Sequence, residues 1–252
     1  MTKPFVDHFG AVSSHYADSR PTYPLALYEW LSTLCDRSDV VWDCGAGSGQ
    51  ASRALADYFG HIIATDASAK QIGQAEPHQK IEYRVASAEE SGLAGGSVDL
   101  VTVAQALHWF DFDRFFSEVN RVLKPEGILA VWSYGRQLIQ GHEVNEVFQR
   151  FYSEIVGPYW PPERLYVEQG YRSIQFPFPL IDAPPFEMKV GWEMGQLVSY
   201  VRSWSATASF IKATGVDPVP EFEAELGAVW GDPAVVRSVE WPLTVLVGKK
   251  PK

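Results

Sequence analysis

Three glycines at alternate positions, Gly45, Gly47 and Gly49, follow an acidic residue in the run VVWDCGAGSGQASRAL. Glycines lack Cβ atoms, so they allow positive φ and let a ligand press against the backbone near a helix N-terminus. The spacing is not the dinucleotide fingerprint G-x-G-x-x-G, because the third glycine would fall on Gln50, and no G-K-[ST] follows to hold phosphates. Asp43 would repel a pyrophosphate and attract an ammonium. Asp66 ends the next apolar run, HIIATD, where a carboxylate can receive two ribose hydroxyls; it can equally cap the helix that follows. An adenosyl ligand with a charged amino-acid tail and no phosphate fits both acids.

Three groups of residues could act on a second substrate. His108, in QALHWF, has an ordinary pKa near 6.5 and could take a proton from a phenol or amine; a structural histidine beside Trp109 is the alternative. Trp109 and Phe110 could wall a pocket or pack a helix. Arg20, with Tyr16 and Tyr23, could clamp an acceptor carboxylate through a two-pronged hydrogen bond or form a surface ion pair. Were the acceptor a carboxylate, it would be ionised at neutral pH, and His108 would orient it. Trp204, Ser205 and Thr207 in SWSATASF form the third group, with Trp204 either core or pocket wall. Tyr159, Trp160 and Tyr166 could close a lid over the reacting centre or anchor a long loop. The sequence contains no H-E-x-x-H, EF-hand or clustered-carboxylate pattern, and no metal is expected.

The elements that must position these residues alternate. Short β-rich runs at 39–44, 60–65, 81–86, 98–104 and 127–133 are separated by helical patterns such as QASRALADYF and DRFFSEVNRVL, the latter expected to stop at Pro125 and Gly127 of KPEG. This is the pattern of βαβ units in a doubly wound α/β sheet. Residues 136–185 are rich in proline and aromatics and predict an insertion over the sheet. Strands at 186–193 and 241–250, with helices between them, are expected to complete it. The chain divides into a cap segment at 1–35, a core at 36–135, the insertion at 136–185 and a completing segment at 186–252.

A formal net charge of -10 disfavours a nucleic-acid partner, which needs clustered lysine and arginine, and directs attention to small molecules. Neither a secretory leader nor a membrane span is expected. Cys35 and Cys44 make no disulfide framework, and a cytoplasmic location is the simplest reading.

On these residues the chain resembles a class I S-adenosylmethionine-dependent methyltransferase with a methyltransferase type 11 domain: DCGAGSG matches the glycine motif, Asp66 the ribose acid, and SAEESGLAGGSVDLVTVAQALHWF the third and fourth strands. HFGAVSSHYADSRPTYP, AQALHWFD and YVRSWSATASF resemble the trans-aconitate methyltransferase-like branch. The resemblance implies a Rossmann-like seven-stranded sheet, mostly parallel, with an antiparallel last strand. It also implies S-adenosyl-L-methionine as cofactor, methyl transfer to a small-molecule acceptor by in-line displacement, and a monomer or homodimer. Asp43, Gly45, Ala46, Gly47 and Gly49 would line the methionine end, Asp66 and Ala67 the ribose, Ala88 and Glu89 the adenine, and Gln105 and Ala106 the sulfonium. Ser87 stands where an aspartate is common, and KPEG replaces KPGG. A nicotinamide-dependent oxidoreductase and a non-catalytic S-adenosylmethionine-binding protein are the alternatives.

Overall fold

The computed structural model describes residues 21–36 and 39–252, so Tyr16 and Arg20 lie outside the described residues. Its first five strands are β1 (Val40–Cys44), β2 (His61–Asp66), β3 (Ile81–Val85), β4 (Val98–Ala104) and β5 (Leu123–Tyr134). They run parallel in the order β3-β2-β1-β4-β5. The inner strands are buried on both faces: Val41 and Leu100 belong to the apolar cluster on one side of the sheet, and Trp42 and Val101 to that on the other. That two-sided burial is why they read as continuous apolar runs and not as alternating ones. Asp99, the second residue of β4, is tolerated because it accepts from Val40 N (2.9 Å) and pairs with Lys124 (2.7 Å).

Helix α1 (Leu25–Leu34) precedes the sheet, and α2 (Gln50–Leu55), α3 (Ala69–Ile72) and α4 (Phe112–Val122) fill the crossovers. Two of them are capped as their sequences suggest. Ser68 Oγ accepts from Gln71 N, and Asp111 Oδ1 accepts from Arg114 N. Helix α4 ends at Val122, before KPEG, and that tetrapeptide lies inside β5. The register shifts between Val98 and Leu100 where β5 pairs with β4. Pro125, which has no N–H to give a ladder, sits within this irregularity.

After β5 come β6 (Leu138–Ile139), α5 (His142–Arg150), one π turn (Phe151–Ile155), α6 (Arg164–Glu168), β7 (Leu180–Ile181), β8 (Glu187–Trp192), α7 (Met194–Arg202), α8 (Ser205–Thr214), α9 (Val219–Trp230) and β9 (Arg237–Lys249). Strand β9 pairs antiparallel with four others. Val247 has Ala130 of β5 and Ile181 of β7 as partners, while Glu240 has Leu138 of β6 and Lys189 of β8. Since Gly135 N also donates to Pro242 O, β6 continues the lane of β5 along one edge of β9, and β7 and β8 share the other. The nine strand segments among the described residues thus fill seven lanes, mostly parallel, with antiparallel pairing confined to β9. Two short pieces of the 136–185 segment, β6 and β7, join the sheet instead of lying over it. No helix among the described residues is long and apolar enough to cross a membrane.

Candidate active site

The strand order reverses between β1 and β4, so the crevice beyond their C-terminal ends is where a doubly wound sheet accepts a ligand. Two turns meet there. Gly45, Gly47 and Gly49 have φ of +69°, +58° and +88°, and Gly49 is the N-cap of α2. A Cβ on Gly45 would lie 2.6 Å from Ala106 Cβ, whereas a Cβ on Gly47 would meet only Gln71 Oε1, at 3.7 Å. Gly45 therefore brings the first turn against the fourth strand's, and Gly47 presents open backbone to the crevice. Gln50 donates from Nε2 to Pro21 O (3.0 Å), tying the glycine turn to the segment before α1.

The two acids differ in setting. Asp43 is fully buried; Ser52 Oγ donates to its Oδ2 (2.5 Å) and Thr102 Oγ1 to its Oδ1 (2.8 Å). Burial pushes its pKa up to about 6 against these two hydrogen bonds, so a cation placed nearby would favour the ionised form. Asp66 is only partly buried, with Oδ2 accepting from Gly47 N (2.9 Å) and Oδ1 from Ser68 N (2.8 Å). A carboxylate clamped between two backbone amides is fixed in position, as reception of two vicinal hydroxyls requires. Asp66→Ala is expected to weaken S-adenosylhomocysteine binding by about 1.5 to 3 kcal/mol, the scale of a lost charged hydrogen bond, read by calorimetry. An unchanged affinity would mean that the ribose lies elsewhere.

Ala67 is half-buried next to Asp66 and Ala88 is buried, while Glu89 turns its Oε1 back to accept from the amide of Asp111 (3.0 Å). Gln105 has φ +54°, and its carboxamide lies along β5, accepting from Tyr134 N (2.8 Å) and donating to Tyr134 O (3.3 Å). That pairing extends the β4–β5 ladder by one side chain and holds Ala106 against Gly45.

Beyond Gln105 a cavity opens between the sheet and the segment that follows β6. Its walls include His108, Trp109, Tyr134, Gln137, Tyr152, Trp160, Arg164, Tyr200 and Trp204. His108, on a turn of 3-10 helix at Leu107–Trp109, is buried with Nδ1 3.0 Å from Tyr171 Oη. Trp204 is packed by the rings of Tyr152, Trp160 and Tyr200 at 5.4–5.5 Å, so it is both core and wall. Tyr23 packs edge-on to Trp132 in the main core (5.7 Å), and Thr207 donates to Val201 O. Phe110 packs Phe115 (4.9 Å). Of the aromatic insertion, Trp160 reaches the cavity, while Tyr159 packs Phe210 and Tyr166 packs Phe112.

Sequence reasoning passed over Arg164, Gln137, Tyr152 and Tyr171. Arg164 carried a signal, a lone arginine in the aromatic run YWPPERLY of an acidic chain; the other three become visible only in three dimensions.

The chain's relatives agree with this fold. The methyltransferase domain family matches residues 42–131, from β1 to β5. A chain described as a methyltransferase in Dictyostelium discoideum is 37% identical over 98% of this chain and 96% of its own length. One described as an S-adenosylmethionine-dependent methyltransferase in Saccharomyces cerevisiae is 33% identical over 48% of this chain and 45% of its own. Among solved structures, that of a chain described as a type II methyltransferase from Anaeromyxobacter dehalogenans superposes with a TM-score of 0.86 at 42% identity, covering 92% of this chain and 99% of that one. With an open glycine turn, a clamped acid at the end of β2 and relatives of this kind over its whole length, the chain belongs to the class I S-adenosylmethionine-dependent methyltransferases, with S-adenosyl-L-methionine as cofactor.

Proposed function

We propose that the protein methylates a small-molecule acceptor, an organic acid whose carboxylate is the nucleophile, in the cavity beside Gln105. The burial of His108 carries this reading. Loss of solvent, and then the charge of Arg164, push its pKa down to about 3, so the ring is neutral at physiological pH. An imidazole with so little proton affinity is a poor base for a phenol or an ammonium group. A carboxylate is already ionised and needs none. The net charge of -10 further supports a small acceptor over a nucleic acid.

When bound, S-adenosyl-L-methionine supplies a methyl group activated by a positively charged sulfur. In this reading Gly45, Ala46, Gly47 and Gly49 admit its methionine end and Asp66 holds the ribose hydroxyls. Ala67, Ala88 and Glu89 border the nucleoside. Asp43, whose oxygens are both engaged, braces the turn and acts on the ammonium through its field. Gln105 and Ala106 fix the floor on which the nucleophile is aligned, and His108 orients it through its ring. Trp109, Trp160 and Trp204 keep water out. Residues 136–185 serve as the lid of a single domain; most of the 1–35 cap segment lies outside the described residues. The free thiols of Cys35 and Cys44 suit a reducing cytoplasm, and we read the working unit as a monomer or homodimer.

Methyl-labelled S-adenosylmethionine, incubated with the protein and a pool of acids, phenols and amines, tests the acceptor class. Label released as methanol by mild alkali is the expected result; an alkali-stable product would overturn the carboxylate reading. His108 gives a separate check. Its folded pKa lies below the ordinary 6.5, so it favours folding fully above that value, and the contribution is lost as pH falls from 6.5 toward 3. The profile of kcat between pH 5.5 and 8.5 is therefore expected to show no imidazole limb. His108→Asn should lower kcat less than about tenfold, against the roughly 10²–10⁴ of a lost general base. A limb near 6.5 that vanishes in the variant would restore His108 as base.

A further inference from the structure

Arg164 is an enclosed charge set among aromatic rings. It stands on α6, at the lid side of the cavity, with Nε donating to Tyr152 Oη (3.1 Å) and its guanidinium carbon 5.1 Å from the ring centre of Trp160. Tyr152 passes the bond on, donating to Glu168 Oε1 (2.8 Å). Among the described residues no carboxylate forms an ion pair with Arg164 itself. An enclosed guanidinium without a counter-ion is unfavourable, and its stacking against Trp160 and Tyr152 holds the planar fork in one orientation. Two further donors accompany it. Gln137, 2% exposed, walls the same cavity with its Nε2 unpartnered, and the buried Trp160 Nε1 is unpartnered as well. Two unpartnered donors beside a guanidinium with no carboxylate partner describe the complement of an anion.

We propose that Arg164 and Gln137 form a seat for an anionic group of the acceptor, distinct from the atom that receives the methyl group. The inference rests on the transferase reading above and narrows it to charged acceptors: a carboxylate, sulfonate or phosphate placed beside the reacting atom. Two reasons separate the seat from the reacting group. Two-pronged pairing with a guanidinium draws charge out of an oxyanion and blunts it as a nucleophile. The seat also belongs to the lid, whereas Gln105 and Ala106 mark the sheet side of the cavity.

The test uses the full chain loaded with S-adenosylhomocysteine. Glutarate, benzenesulfonate and phenyl phosphate are titrated by ligand-observed NMR, each beside its uncharged counterpart: glutaramide, benzenesulfonamide and phenol. At least one anion is expected to bind tenfold or more tightly than its neutral partner. Arg164→Gln should remove about 50-fold of that affinity, the scale of a charge-assisted hydrogen bond. Arg164→Lys should restore part of it, and Gln137→Met should cause a smaller loss, all with the S-adenosylhomocysteine affinity unchanged. Anions that bind no better than their neutral partners, or an Arg164→Gln protein that binds them as well as wild type, would overturn the seat. Failure of the wild-type protein to hold S-adenosylhomocysteine would instead overturn the reading beneath it.

Discussion

Gly45→Ala is expected to lower the affinity for S-adenosylhomocysteine by at least about 100-fold and to destabilise the fold by about 2–5 kcal/mol. Two effects combine. At φ +69° an L-residue is disfavoured by roughly 1–2 kcal/mol. The new Cβ would also stand 2.6 Å from Ala106 Cβ and 3.1 Å from Phe110 Cζ, well inside the roughly 3.5–4.0 Å of ordinary carbon contact. Ala106 cannot retreat, because Gln105 locks that turn to Tyr134, so the two turns must part and the crevice must change shape. Gly92→Ala supplies the control: its φ is +71°, but nothing lies within 4 Å of the added atom. It should show the conformational cost alone, about 1 kcal/mol, with cofactor affinity intact. Thermal melting and calorimetry on both variants check this. Equal behaviour of the two would refute the claim that the β1 and β4 turns are packed against each other.

The second large effect is expected at Trp204. Five aromatic rings surround it, those of Phe148, Phe151, Tyr152, Trp160 and Tyr200, with centroids between 5.4 and 6.2 Å away. Trp204→Ala should cost about 3–5 kcal/mol, the usual range for an emptied tryptophan site, and lower the melting temperature by about 6–20 °C. Trp204→Phe should recover most of the stability while leaving the cavity wall shorter. If Trp204 is wall as well as core, that milder variant should still raise the KM for the acceptor and leave the cofactor affinity alone. A melting curve unmoved by Trp204→Ala would show that this aromatic cluster does not support the lid.

How much of this was legible beforehand depends on whether the signal was local. Strands β1 and β4 were readable because burial on both faces leaves an unbroken apolar run, and the glycine turn because three positive-φ residues admit little else. The position of Asp66 followed from its place as the last residue of β2. Strands β6 and β7, of two residues each, are too short to show any period, and they exist only because β9 offers them an edge. The start of β5, expected at residue 127 and observed at Leu123, differs for another reason. The helix ends before KPEG as Pro125 and Gly127 suggest, but the strand takes up that tetrapeptide too, because the irregular pairing with β4 absorbs both residues. For an anion clamp the sequence suggested Arg20, beside a proline and two tyrosines; Arg20 lies outside the described residues. Arg164 has the same surroundings, and only the folded chain shows that it faces a cavity lined with unmet donors. Within the class I methyltransferase family the oxidoreductase alternative has no remaining support.

Strand β9 has a consequence for biosynthesis. Its thirteen residues serve four partners, and all four leave the ribosome before it does. Until it arrives, β5 presents a row of open amides and carbonyls beside the apolar stretch ILAVW, a template for pairing with another nascent chain. The cofactor half can collapse early from near neighbours in sequence, but the lid half must wait for a strand more than one hundred residues downstream of β5. Solubility during expression should therefore be set less by the finished protein than by how long that edge stands open.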